Sequence, residues 1–173
     1  MMNKRFRGCI AVLLGALSIL LASCGGGGNG ASTPVPSGSV EIPLQVITGS
    51  GGAVSVLVPV SINGQGPFRF ALDTGADVSL VDQSLAQQLG LPIAGKPEAI
   101  GGVSGVAEAN LVKVAQWDAG GVKLPSETVA SLTLPQERPG MALQGLLGAD
   151  MLSTFGTVTI DFKGQKLILP ASP

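Results

Sequence analysis

From residue 40 onward, short apolar runs alternate with Gly-rich breaks. VEIPLQVI (40–47) and AVSVLVPVSI (53–62) are rich in β-branched residues and predict strands. Pro59 has no amide hydrogen and limits pairing on one side of the second. NGQG at 63–66 is a hairpin signal, and PFRFAL (67–72) resumes the strand. VDQSLAQQLG (81–90) reads as a helix: Asp82 is placed to cap it, Leu85 and Leu89 lie one turn apart, and Gly90 ends it. LVKVAQW (111–117), GVKL (121–124) and ETVASLTL (127–134) are further strands. A last pair, TVTIDF (157–162) and KLIL (166–169), is joined by Lys163-Gly164-Gln165. No tandem repeat is present. The pattern predicts a mainly β domain with one or two short helices.

The first 39 residues break this pattern. Lys4, Arg5 and Arg7 precede an apolar run from Ile10 to Ala22 that is shorter than a bilayer span. The run ends in Leu21-Ala22-Ser23-Cys24, which resembles the bacterial lipobox. The resemblance implies cleavage before Cys24 and lipidation of its thiol. Residues 1–23 are then a lipoprotein signal peptide, and Gly25 in place of Asp points to the outer membrane, facing the periplasm. Residues 24–39 comprise that cysteine and a Gly/Ser/Pro-rich stretch with no core-forming side chains. As a random coil this tether reaches roughly 20 Å. Residues 40–173 form the expected folded domain, held at a membrane through its lipid alone.

The whole chain has 173 residues, ten basic and eleven acidic, a net charge of −1. Loss of residues 1–23 removes three basic groups and leaves seven against eleven, a net of −4. No basic cluster lies in the body of the chain, so a nucleic-acid partner is not expected. There is no histidine, and the two cysteines, Cys9 and Cys24, are both near the start. Imidazole bases, His-built metal sites and cysteine nucleophiles are thereby excluded from the domain, and no metal or cofactor is expected. Carboxylates are left as the leading acid–base groups.

Asp73 stands out among them. It follows the apolar FAL and is followed, after Thr74 and Gly75, by the apolar ADVSLV. Asp-Thr-Gly is a common turn tripeptide, and by itself it marks only the end of a strand. A carboxylate between two apolar runs, however, pays for desolvation unless donors meet it. Thr74 offers a hydroxyl, and Gly75 lets another backbone approach.

LDTGADVSLVD (72–82) resembles the active-site strand of the retropepsin-like aspartic proteases, whose signature is Asp-Thr-Gly-Ala. Two more segments match in order: AIGGVSGVAEANLV (99–112) resembles the Gly-rich flap, and GLLGADML (145–152) the apolar-apolar-Gly motif with its short helix. The resemblance implies a closed β-barrel, the acid-protease half. It makes Asp73 the catalytic aspartate, Thr74 the residue that bonds across the dyad, and Gly75 the residue whose carbonyl faces substrate. Ala76 and Asp77 would line the substrate, as would the flap residues Gly101, Gly102, Val103, Ser104 and Gly105. Leu146, Leu147 and Gly148 would pack beside the active-site loop. Ala149 replaces the arginine of the viral Gly-Arg motif, which leaves Asp77 with Arg69, Arg138 or water as partner, or with a helix-capping role. Asp150 reads as a helix cap rather than a catalytic group. Asp118-Ala119-Gly120 lacks the hydroxyl and reads as a turn.

One chain thus supplies one aspartate where the family mechanism needs two. The implied function is a lipid-anchored envelope aspartic endopeptidase, active as a homodimer on peptide or protein substrates. The alternative is a retropepsin-like module that binds peptides or assists envelope assembly without cutting. A plain structural lipoprotein would require three coincidental matches.

Overall fold

The computed structural model describes residues 38–102, 105–125, 127–135 and 142–173. The expected signal peptide (1–23), Cys24, most of the expected tether, Val103, Ser104 and Arg138 lie outside these residues. In chain order the elements are β1 (Ser39–Pro43), β2 (Gln45–Thr48), β3 (Val54–Ile62), β4 (Gln65–Leu72), β5 (Leu80–Asp82) and α1 (Gln83–Gln88). They continue with β6 (Glu98–Gly102), β7 (Gly105–Lys113), β8 (Trp117–Ala119), β9 (Val122–Lys123) and β10 (Thr128–Leu132). The last are β11 (Gly145–Leu147), α2 (Ala149–Leu152), β12 (Thr159–Asp161) and β13 (Lys166–Pro170). The mainly β reading with two short α-helices stands.

Local signals act where the sequence puts them. Asn63 and Gly64 take φ of 50° and 74°, the two positive values of a two-residue hairpin turn, and Ile62 pairs with Gln65 across it. Asp82 caps α1, its carboxylate accepting the Ser84 amide at 2.9 Å, and Gly90 takes φ of 61° just past the helix. Of Asp118-Ala119-Gly120, expected as a turn, the first two residues end β8 and the turn is Gly120-Gly121: Ala119 pairs with Val122, and the Gly121 amide donates to Asp118 at 2.9 Å. Pro59 pairs with Arg69 of β4 on one side. On the other, β2 covers residues 54–57 and β8 covers 60–62, so the proline falls between two partners.

Two expected strands are divided. VEIPLQVI becomes β1 and β2, which belong to different sheets: β1 pairs with β13, and β2 with β3. Pro43 ends the first, and buried Leu44 carries the chain between them. LVKVAQW is also split. Its first residues finish β7, the inner arm of the flap, and Trp117 starts β8.

β1, β13 and β12 make a three-stranded sheet. The larger sheet runs β6-β7-β10-β5-β11-β4-β3-β8-β9, with β2 added to β3. This path is open, which corrects the closed barrel implied by the resemblance. Among the described residues no pairing joins β6 to β9. β6 and the first four residues of β7 are largely exposed and rich in Gly and Ala. With Ile100 as its one half-buried apolar side chain, the arm has little apolar surface to gain by folding back to close the sheet, and it stays a hairpin. The core packs beneath: Ile42, Phe70, Trp117, Leu147, Leu167 and Leu169 are each at most 1% exposed. Phe70 meets Trp117 edge-on, with centroids 6.3 Å apart and planes at 69°. Residues 39–43 and 166–170, near the two ends of the domain, are therefore paired with each other within one chain.

Candidate active site

β4 leads into the Asp73 loop and β5 leads out, yet the two are not neighbours. β11 lies between them, parallel to β4 (Leu147 beside Leu72) and antiparallel to β5 (Leu146 beside Leu80). Residues 73–79 must therefore arch over the end of β11. The arch is pinned at its start, where the Asp73 amide donates to Leu147 O at 3.0 Å, and near its middle, where the Ala149 amide donates to Ala76 O at 2.7 Å. The crossing explains Gly148. A Cβ there would lie 2.8 Å from Ala76 O, 2.9 Å from Val78 C and 3.0 Å from Val78 O. Only a residue without a side chain fits under the arch.

The Asp73 carboxylate is exposed at the end of β4, where Ala71 and Leu72 are half-buried. It stands at the edge of the apolar layer, so the desolvation expected from its neighbours in sequence is not imposed. Its donor is the Gly75 amide, at 2.9 Å to Oδ1. The Thr74 hydroxyl, also exposed, makes no hydrogen bond among the described residues.

A cleft of about 1080 Å³ opens between this loop and the flap. Asp73, Gly75, Ala76 and Asp77 line one side, and Gly101, Gly102 and Gly105 line the other. Of the residues expected at the site, Thr74 is on the loop but outside the lining. Val103 and Ser104, expected at the flap tip, fall outside the described residues; Gly102 and Gly105 pair across them. The cleft is also lined by residues that the sequence reading did not single out: Val78, Leu80, Ile100 and Leu132 supply apolar wall, and Glu98 a further carboxylate. Ile100 is the one large apolar residue of β6, and that was the available signal for it. Asp77 is exposed and forms no ion pair with Arg69 among the described residues. The α1 cap is held by Asp82, so that alternative for Asp77 is also unfilled.

Two buried polar groups support the arch from below. Ser79 is 1% exposed. Its hydroxyl donates to Asp150 Oδ1 at 2.6 Å and accepts the Gly148 amide at 2.8 Å. Its own amide donates to both Asp150 oxygens, at 2.9 and 3.0 Å. Asp150 also accepts the Met151 amide at 2.8 Å, but it stands inside the first turn of α2 and Gly148 holds the N-cap position without a side-chain bond, which corrects the helix-cap reading. The larger share of its bonds goes to Ser79, 71 residues away. Asp82, 3% exposed, anchors the far end of β5. Burial pushes its carboxyl up, but hydrogen bonds from the Ser84 hydroxyl and the Leu134 and Ser84 amides outweigh this and hold it below the ordinary aspartate value.

The family model for aspartyl proteases matches residues 58–151. That span covers more than half of the chain and runs from β3 through the Asp73 arch and the flap to α2. The chain belongs to the aspartyl protease family. No curated protein matches it. In this aspartyl protease the retropepsin-like motifs recognised in the sequence converge in space: the Asp-Thr-Gly loop, the flap and the Leu-Leu-Gly strand all meet at one cleft. Membership supports a protease-type, hydrolytic function with peptides as the substrate class.

Proposed function

We propose that this protein is a lipid-anchored aspartic endopeptidase of the bacterial envelope, active as a homodimer in which each chain contributes one Asp73. The carrying observation is the placement of Asp73: exposed, at the start of a pinned arch, on the wall of an open cleft faced by a Gly-rich flap. Family chemistry uses two such carboxylates about 3 Å apart that share one proton. The ionised one takes a proton from water as its oxygen attacks the peptide carbonyl. The protonated one donates to the carbonyl oxygen. Collapse of the tetrahedral intermediate expels the amine, which takes up a proton. The single Asp-Thr-Gly loop supports the need for a second chain, and the exposed Thr74 hydroxyl is free to bond across the two-fold axis. The mostly apolar wall fits an extended apolar peptide. Because β1 and β13 pair within the chain, a contact built on interleaved chain ends is not assumed. Anchorage through Cys24 would raise local concentration and favour pairing.

The test is peptide cleavage by the full chain in detergent beside Asp73→Asn. The variant should fold and lose cleavage, because asparagine keeps the shape and removes the acid–base group. Wild-type cleavage should rise faster than linearly with protein concentration below the dimer dissociation constant. A folded Asn variant that cuts at the wild-type rate refutes the reading. A protein that folds, retains Asp73 and cuts nothing would favour the peptide-binding alternative.

A further inference from the structure

The Asp73 arch spans residues 73–79, with its first three exposed. Among the described residues, its start and middle are tied to β11 and α2 by backbone hydrogen bonds to Leu147 and Ala149. Its end is held differently. Ser79, buried under the arch, is gripped by Asp150 through three hydrogen bonds of 2.6 to 3.0 Å, and it in turn receives the Gly148 amide. Asp150 Oδ1 therefore accepts from Ser79 N, Ser79 Oγ and Met151 N, and Oδ2 accepts from Ser79 N. Although Asp150 borders the cleft, its carboxylate is committed to these donors and is not a second catalytic acid.

We propose that Ser79 and Asp150 are a positioning pair that fixes the Asp73 arch over β11 and so sets where the Asp73 carboxylate stands. This rests on the peptidase reading above and adds to it a residue pair whose role is to hold the arch rather than to do the chemistry. The physical reason is tolerance. Two carboxylates sharing a proton must be placed to within about 0.5 Å, and rigid support from hydrogen-bonded neighbours supplies that precision. A charged acceptor bonds more strongly than a neutral one, and Ser79 is the point at which the arch rejoins the sheet. The pair also couples the arch to α2: Ala149 holds the middle of the crossing at Ala76, and Gly148 and Asp150 hold its end at Ser79.

The experiment uses the full chain with Asp150→Ala, Ser79→Ala and Asp150→Asn. Steady-state cleavage gives kcat and KM separately, and amide hydrogen exchange is followed at Asp73 and Ala149, with Val58 and Val60 in β3 as internal reference. Asp150→Ala and Ser79→Ala should lower kcat about 100-fold, the scale of a misplacement near 1 Å, with KM near wild type. Exchange should quicken at Asp73 and Ala149 and stay unchanged in β3. Asp150→Asn, whose remaining oxygen still accepts from Ser79, should restore most of kcat. Wild-type kcat and exchange in Asp150→Ala would overturn the proposal. So would a rise in KM alone, which would mean substrate contact, or faster exchange throughout β3, which would mean general loosening. If the wild type cuts no peptide, the peptidase reading fails, while exchange at Asp73 and Ala149 still decides whether the pair holds the arch.

Discussion

Adding a single methyl group at Gly148 should separate stability from catalysis. Gly148 has φ of −94°, a value open to any residue, so Gly148→Ala carries no backbone strain of its own. The cost is contact. The new Cβ would sit 2.8 to 3.0 Å from three backbone atoms of Ala76 and Val78, none of which can rotate away. Either the arch rises or β11 sinks toward the core, where Leu147 is 1% exposed and closely packed. Overpacking of this kind costs about 1–3 kcal/mol. For a domain of this size that is a fall in melting temperature on the order of 2–12 °C. Displacing the Asp73 arch by a fraction of an ångström should also lower kcat by about tenfold to 100-fold. Gly145→Ala is the comparator. Its Cβ would lie 2.1 to 2.5 Å from the Phe70 ring, forcing that ring from its edge-on contact with Trp117. It should destabilise at least as much as Gly148→Ala, yet lower kcat less among the molecules that remain folded. Thermal melts followed by circular dichroism, with cleavage rates normalised to folded protein, measure both. Wild-type melting and wild-type kcat in Gly148→Ala would refute the crowding argument.

Asp82 should show in acid. Its folded-state pKa is depressed, so its ionised form stabilises the fold above the ordinary aspartate value, and that contribution is lost as pH falls through the lower folded value. Asp82→Asn should therefore be less stable than wild type near neutrality, with the gap closing below the ordinary aspartate range. Urea midpoints across pH measure this, and a gap that widens in acid contradicts it. For the proposed anchor, Cys24→Ser should abolish incorporation of labelled fatty acid and move the protein from the detergent phase to the aqueous phase. Continued labelling would show that Cys24 is not the lipid acceptor.

Sequence alone determined the short-range features. Asn63-Gly64 made a turn because few other pairs tolerate two successive positive φ values. Asp82 capped α1 because its carboxylate reaches amides one turn ahead. Asp73-Thr74-Gly75 and Leu146-Leu147-Gly148 were legible because each is a run of adjacent residues with a distinctive chemistry. Tertiary structure decided the rest. That β11 inserts between β4 and β5, that Pro43 hands the chain from one sheet to another, and that the flap stays an open arm all depend on strand pairing. Pairing is made by backbone amides and carbonyls that are the same at every residue, so periodicity predicts a strand but not its neighbour. Ser79 and Asp150 are the sharpest instance. One reads as a small polar residue in an apolar run and the other as a helix cap, 71 positions apart. They meet because the arch crosses β11 at Gly148, which buries Ser79 where the carboxylate of the exposed Asp150 can reach it.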